Sequence, residues 1–123
     1  ESASINISKD LLNEGAFLHI HDPKVDPNQI AIDLDLPQND KKESEVFSEK
    51  GCWYFVTDIY EAAKEADAIL VITEWDIYSS LDWRKISKVM RKPSWIFDSR
   101  SILNSNEIKA SGLNFWRIGE GSE

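Results

Sequence analysis

Residues 68–72 read Ala-Ile-Leu-Val-Ile, a run without a single polar side chain. Successive side chains of a strand point to opposite faces, so a strand made from this run is apolar on both faces. Strands of that kind are covered by helices on both sides, an arrangement typical of parallel sheets. The run therefore predicts a buried strand in a parallel α/β sheet, and it constrains the fold class more than any other segment.

The segments around this run alternate between helical and strand patterns. Apolar residues recur at three- and four-residue spacing behind capping residues in the helical segments. The strand segments are short and rich in aromatic and β-branched residues. This alternation predicts an α/β fold, doubly wound around a mostly parallel sheet. Helices are expected over 2–14 and after Asp58, Asp82 and Asn104, strands over 16–21, 52–56, 95–97 and 114–118, and either a helix or a strand over 29–34.

The order and size of these segments lead to three further expectations. A doubly wound fold opens with a strand near the sheet centre, whereas this chain opens with a helical pattern. We therefore expect a sheet that lacks its first strand. The 123 residues have the size of one domain, 1–123. Residues 35–50 consist mainly of Asp, Glu, Lys, Ser, Asn and Gln, which predicts a flexible acidic loop.

The charge, the apolar runs and the cysteine content of the chain restrict its partners and its location. The formal net charge is −8 at pH 7, and a negative field of this kind repels nucleic acids and anionic membranes. No apolar run is long enough to cross a bilayer, and the first residues do not resemble a secretory signal. Cys52 is the only cysteine, so a disulfide within the chain is impossible and a reducing, cytoplasmic location is expected. A small anion can still bind where one pocket is locally positive.

Polar residues follow three of the predicted strands. Ligands of open α/β sheets bind outside the carboxyl ends of the strands, which selects Asp22, 73–76 and 98–100. Arg100 is the only cation in these segments, and its planar guanidinium matches two oxygens of a phosphate. An ion pair with Asp98 or Glu74 that merely holds two loops together explains Arg100 equally well.

Other chemistry has weaker support in the sequence. None of the five glycines forms a G-x-G-x-x-G turn, so no NAD site is expected in this chain. His19, His21 and Asp22 are too few for a specific metal site. Cys52 begins an apolar strand, where a buried and inert thiol is the usual finding. We therefore predict no catalytic residue and no metal ligand.

Several segments together resemble one family. They include 21–25 (His-Asp-Pro-Lys-Val), 73–76 (Thr-Glu-Trp-Asp) and 97–100 (Phe-Asp-Ser-Arg). In these, the chain is similar to the C-terminal, UDP-binding domain of the nucleotide-sugar dehydrogenases, the UDP-glucose/GDP-mannose dehydrogenase family. The resemblance covers nearly all of the chain and is weakest over 35–50. It favours the eukaryotic UDP-glucose 6-dehydrogenase type over relatives that use GDP-mannose or UDP-N-acetylmannosamine.

The resemblance implies a Rossmann-like fold and a parent enzyme that oxidises UDP-glucose to UDP-glucuronate in two NAD-dependent steps. In the family, NAD binds an N-terminal domain and the catalytic cysteine lies in a middle region, so this chain alone is expected to be inert. The implied partners are UDP-glucose, the N-terminal and central domains of the same enzyme, and further copies in a homo-oligomer. The family's substrate-binding arginine falls on Arg100, and the loops that support it contain Asp98, Ser99 (where the family commonly has glycine), Thr73, Glu74 and Trp75.

A flavodoxin-like interaction or receiver module is the alternative from another class, because it shows the same alternation of helices and strands. Such a module needs an acidic cluster at the strand ends and a lysine opposite. Asp22 and Asp98 could supply the acids, but the sequence offers no convincing lysine after the last core strand.

Overall fold

The computed structural model describes residues 3–39 and 51–117, and it divides into two compact units, Glu1–Ala62 and Ala63–Glu123. Helices and strands alternate along the chain as the sequence predicts. A short 3₁₀ helix, Asp76–Ser80, follows the third strand. The remaining elements are α1 (Ala3–Asn13), β1 (Phe17–Ile20), α2 (Pro27–Leu34), β2 (Cys52–Phe55), α3 (Ile59–Ala63), β3 (Ala68–Val71), α4 (Trp83–Val89), β4 (Trp95–Asp98), α5 (Ser105–Ala110) and β5 (Asn114–Arg117).

The first unit is built around Trp53 in β2. Strands β1 and β2 pair in parallel, with Phe17 opposite Cys52. The Trp53 side chain has no exposed surface and packs with residues of α1 and α2. Its indole Nε1 donates to the carbonyl oxygen of Leu36 at 2.9 Å, so the polar atom of this buried ring is satisfied.

Residues 29–34, which the sequence leaves open between helix and strand, belong to α2. Asp26 caps this helix, because its carboxylate accepts hydrogen bonds from the backbone N–H groups of Asn28 and Gln29. Pro27 stands at the start of the helix, where its missing N–H costs nothing. The helix ends at Asp35, whose backbone is left-handed with φ of 54°.

The predicted flexible loop, 35–50, is described only up to residue 39. In that part, the N–H of Asn39 donates to the carbonyl oxygen of Trp53 at 2.7 Å. The N–H of Phe55 donates to Oε1 of Gln38 at 3.0 Å. Residues 36–39 are therefore hydrogen-bonded to β2, while 40–50 lie outside the described residues and the expectation for them stays a prediction.

The second unit contains a parallel three-stranded sheet in the order β3-β4-β5. The capping residues predicted for its helices are present: Asp82 accepts from the N–H of Lys85, and Asn104 from the N–H of Glu107, both at 3.1 Å. Ile96 of β4 and Ile108 of α5 are fully buried. Helix α5 contacts both β5 and α4, so the apolar sides of these elements form the core of the unit.

All strand pairs among the described residues are parallel, and the α/β, Rossmann-like class is confirmed. The sequence predicts one sheet without its first strand, whereas the described strands form a two-stranded and a three-stranded sheet. Strand β1 pairs with β2 and strand β3 with β4, so each of the two is paired along one of its edges in the described residues. Within 3–39 and 51–117, no helix is long and apolar enough to cross a membrane.

Candidate functional site

The candidate site lies at the carboxyl edge of the three-stranded sheet. Val71 is the register partner of Asp98, and Asp98 is the partner of Arg117. The three strands are parallel, so the segments that leave them, beginning at 72 and 99, start from the same edge. The sequence selected 73–76 and 98–100, which lie at this edge, and also Asp22, which follows β1 in the first unit.

Asp98 organises the loop that follows β4. Its side chain is 0% exposed, and its Oδ1 accepts the N–H of Arg100 at 2.9 Å. Its Oδ2 accepts the N–H of Leu103, also at 2.9 Å. A buried carboxylate that accepts backbone N–H groups makes strong, charge-assisted hydrogen bonds. These bonds hold both ends of the segment 100–103.

Ser99 ties the same loop to β3. Its N–H and its Oγ both donate to the carbonyl oxygen of Val71, at 3.1 and 3.0 Å. A glycine at this position could make only the first of these bonds. The backbone then turns through Ser101, which has a left-handed φ of 59°, and the neighbouring Arg100 is exposed.

Arg100 forms an ion pair with Glu74, in which Nη2 donates to Oε1. The two side chains are 43% and 59% exposed. Of the two acids that the sequence offered as partners, Glu74 pairs with the guanidinium, and Asp98 contacts only the backbone of Arg100. An exposed pair of this kind contributes at most about 1 kcal/mol. The guanidinium has more N–H donors than one carboxylate oxygen uses, so it can bind a second anion.

Thr73 and Trp75 flank Glu74 and are half-buried. The carbonyl oxygen of Trp75 accepts the N–H of Tyr78 at 3.0 Å, which starts the 3₁₀ helix.

Arg117 is a second arginine at this edge, and sequence reasoning missed it. Its Nη2 donates to the carbonyl oxygen of Leu103 at 2.7 Å. Its Nε lies 3.8 Å from Oδ2 of Asp98, and the side chain is only 18% exposed. An acid and a base at the ends of two neighbouring parallel strands indicate such a contact. The sequence does not show that Asp98 and Arg117 are opposite each other, because this depends on the register of β4 and β5.

The other sequence candidates lie in the first unit. Asp22 is a turn residue whose Oδ1 accepts the N–H groups of Lys24 and Val25 at 2.8 and 3.0 Å. His19 is held at both ring nitrogens, by the carbonyl oxygen of Ala62 at 2.8 Å and the hydroxyl of Tyr54 at 2.9 Å. Among the residues that the structure describes, no three His, Cys, Asp or Glu side chains come together in a way that could hold a metal ion.

Burial also changes the chemistry of two residues in that unit. Burial lowers the pKa of His21 against the opposing effects of a hydrogen bond with the Thr57 backbone and of the charges on Asp22 and Asp58. Burial raises the pKa of the Cys52 thiol, which disfavours the reactive thiolate.

The glycines of the described residues do not provide a dinucleotide-binding turn. Such a turn follows a strand and opens a helix. Gly15 lies before β1, Gly51 before β2 and Gly112 before β5. Within the described ranges, the chain therefore does not fit the diphosphate of NAD in the way that a dinucleotide-binding domain does.

Fold and site together define a Rossmann-like α/β domain with an accessible arginine at the carboxyl edge of a parallel sheet. Residues 1–105 match the model of the UDP-glucose/GDP-mannose dehydrogenase family, UDP binding domain. The chain belongs to this family, which confirms the resemblance noted in the sequence.

The most similar relatives include UDP-glucose 6-dehydrogenases from animals and plants. The Pongo abelii protein is 42% identical over 125 residues, which cover 98% of this chain and 24% of the relative. The Drosophila melanogaster protein is 38% identical over 120 residues, covering 98% and 25%. UDP-glucose 6-dehydrogenase 4 of Arabidopsis thaliana is 36% identical over 129 residues, covering 98% and 26%. The chain spans about a quarter of the length of these curated relatives.

Proposed function

We propose that this chain is the domain of a UDP-glucose 6-dehydrogenase that binds the nucleotide sugar, and that Arg100 binds a phosphate of UDP-glucose. The observation that supports this most is the half-exposed Arg100 guanidinium, carried by a loop that the buried Asp98 carboxylate organises. The names of the relatives favour UDP-glucose over GDP-mannose or UDP-N-acetylmannosamine. They also favour an enzyme domain over a non-catalytic interaction module.

The chemistry of the edge suits a diphosphate. A guanidinium binds two phosphate oxygens with parallel N–H donors, and such charge-assisted bonds are stronger than neutral ones. Asp98 and Ser99 are then positioning residues, because they hold the loop without presenting free donors to a ligand. Thr73, Glu74 and Trp75 form the facing loop of the proposed site.

The parent enzyme would oxidise UDP-glucose to UDP-glucuronate with two NAD. NAD accepts the hydride in such reactions, and we place both NAD and the catalytic nucleophile in parts of the enzyme outside this chain. The position of the glycines and the raised pKa of the buried Cys52 thiol support that assignment. We further propose that this domain works together with the N-terminal and central domains in a cytoplasmic homo-oligomer, and that the chain alone does not turn over substrate.

Substitution of Arg100 in the full-length enzyme tests the proposal. Arg100→Ala removes a charge-assisted bond worth about 1.5–3 kcal/mol, so we expect the KM for UDP-glucose to rise at least about tenfold. Arg100→Lys should recover only part of the loss, because an ammonium cannot donate from a planar fork. Initial rates at saturating NAD measure both effects.

Arg91 offers a matched control for this experiment. It forms a similar exposed ion pair, with Nη2 2.7 Å from Oδ2 of Asp67, but Asp67 directly precedes β3 and so lies at the amino edge of the sheet. Arg91→Ala should leave the KM unchanged. An unchanged KM in Arg100→Ala as well would show that the Arg100–Glu74 pair only links two loops.

A further inference from the structure

The guanidinium of Arg100 already contacts an anion that belongs to the chain. Glu74 reaches it from the loop after β3, and both side chains are open to solvent. Asp98, which precedes the loop that carries Arg100, is fully buried and directs its oxygens at backbone N–H groups. A phosphate that approaches Arg100 therefore meets the exposed carboxylate of Glu74 and is separated from that of Asp98.

We infer that Glu74 determines which phosphates Arg100 accepts: it tolerates the singly charged phosphates of a nucleotide-sugar diester and disfavours the doubly charged terminal phosphate of a free nucleoside diphosphate. This inference rests on the proposed function, because it takes Arg100 as a phosphate ligand. It assigns Glu74 a role in specificity that is separate from holding Arg100 in place.

The physical basis is a difference in ligand charge. Each phosphate of a nucleotide sugar is a diester with one negative charge. The terminal phosphate of a free nucleoside diphosphate is a monoester that loses a second proton with a pKa of about 6. In a solvent-exposed setting, like charges a few ångströms apart repel by roughly the equivalent of a fivefold change in affinity. Glu74 competes with both ligands for one N–H donor of Arg100, but the extra repulsion falls only on the monoester.

The same geometry argues against a purely supporting role for Glu74. The pair uses one oxygen of Glu74 and one nitrogen of Arg100, and it is exposed at both ends. Such a pair orients a long side chain only weakly, because an ion pair exposed to solvent at both ends contributes little net free energy. The backbone of the loop is already held by Asp98 and Ser99. Loss of Glu74 should therefore leave the loop intact and free one donor.

The test uses Glu74→Gln in the full-length enzyme, with three ligands at constant ionic strength. They are UDP-glucose as substrate, and UDP and its terminal methyl ester as competitive inhibitors. The ester matches UDP in size but has a singly charged terminal phosphate. We expect the Ki of UDP to fall about two- to fivefold, and the KM of UDP-glucose and the Ki of the ester to change less than about twofold.

Two controls show whether the effect comes from the pair. Glu65→Gln makes the same change in charge at an exposed residue before β3, at the opposite edge of the sheet, and should leave the Ki of UDP unchanged. In an Arg100→Ala background, Glu74→Gln should tighten UDP less, because Arg100 no longer holds the terminal phosphate beside residue 74. The double-mutant cycle therefore isolates the contact between the two side chains.

The outcomes separate this inference from the proposed function. If Arg100→Ala leaves the constants for all three ligands unchanged, both are wrong. If Arg100→Ala weakens the ligands but Glu74→Gln does not tighten UDP, only the inference about Glu74 is wrong. Weaker binding of all ligands in Glu74→Gln would contradict the inference and make Glu74 a positioning residue. An equal fall in the Ki of UDP and of its ester would contradict discrimination by charge.

Discussion

The guanidinium of Arg117 lies beside the buried carboxylate of Asp98, with Nε 3.8 Å from Oδ2. The same arginine donates from Nη2 to the carbonyl oxygen of Leu103 at 2.7 Å, while Asp98 accepts the N–H of that residue. Leu103 is thus held through both of its backbone polar groups. Asp98 and Arg117 therefore contact each other and both bind the backbone of Leu103, which stabilises the end of the loop that carries Arg100.

Substitution of Arg117 should affect both stability and substrate binding. Arg117→Met keeps a long apolar stem but removes the charge beside Asp98 and the donor to Leu103. We expect a loss of about 1–3 kcal/mol in the free energy of unfolding, because a buried carboxylate and a carbonyl lose a partner. The KM for UDP-glucose should rise less than in Arg100→Ala, with little change in kcat.

Urea unfolding of the 123-residue chain and steady-state kinetics of the full-length enzyme measure the two effects. Arg117→Lys provides the matched comparison, since it keeps the charge but cannot contact Asp98 and Leu103 with a planar fork. It should fall between the wild type and Arg117→Met. A KM that stays at the wild-type value in both variants would show that the loop holds its shape without Arg117.

Gly51 allows no side chain. A Cβ atom built there lies 1.9 Å from the carbonyl oxygen of Ala16, and backbone atoms cannot move aside at low cost. The N–H of Gly51 also donates to the carbonyl oxygen of Leu12 at 2.8 Å. We expect Gly51→Ala to reduce the free energy of unfolding by about 3 kcal/mol, through overpacking and displacement of β2 from β1.

Gly112→Ala is the contrasting variant for that measurement. Gly112 has a left-handed φ of 88°, but the nearest atom to an added Cβ is Oγ of Ser87 at 3.7 Å. Only backbone strain of about 1–2 kcal/mol is expected there. Urea unfolding followed by tryptophan fluorescence measures the free energy of unfolding of both variants. Equal losses of this free energy in the two variants would contradict the clash at Gly51.

The pKa of His21 makes stability depend on pH. In the folded chain this pKa lies below its ordinary value of 6.5, mainly because of burial. The unfolded chain therefore binds more protons than the folded chain as the pH falls through this region, and stability falls with it. We expect the free energy of unfolding to decrease between about pH 7.5 and about pH 5.5, and to decrease less in His21→Gln.

Urea unfolding at several pH values measures this slope. The two proteins differ only at residue 21, so the difference between the slopes reports on His21 and on the charges of Asp22 and Asp58 that act on it. Identical slopes in the wild type and His21→Gln would show that burial of this histidine does not affect its protonation.

Local signals in the sequence were sufficient for most of the secondary structure. The caps at Asp82 and Asn104 depend on backbone N–H groups three residues away, and the apolar run at 68–72 determines its own strand. Such contacts form within one turn or one strand, so the order of residues reveals them. The motifs at 73–76 and 97–100 also identified the family, because they are patterns of residues and need no coordinates.

The tertiary structure decided how distant residues combine. The sequence allowed Arg100 to pair with Asp98 or Glu74, and the structure shows Glu74, which is 26 residues away. Asp98 does not pair with the Arg100 guanidinium, because its oxygens face backbone N–H groups of the following loop and the guanidinium of Arg117. Arg117 in turn became part of the edge only through the parallel register of β4 and β5. Contacts of this kind depend on which strands are neighbours and on which side chains are buried, and both follow from packing of the whole unit rather than from any short segment.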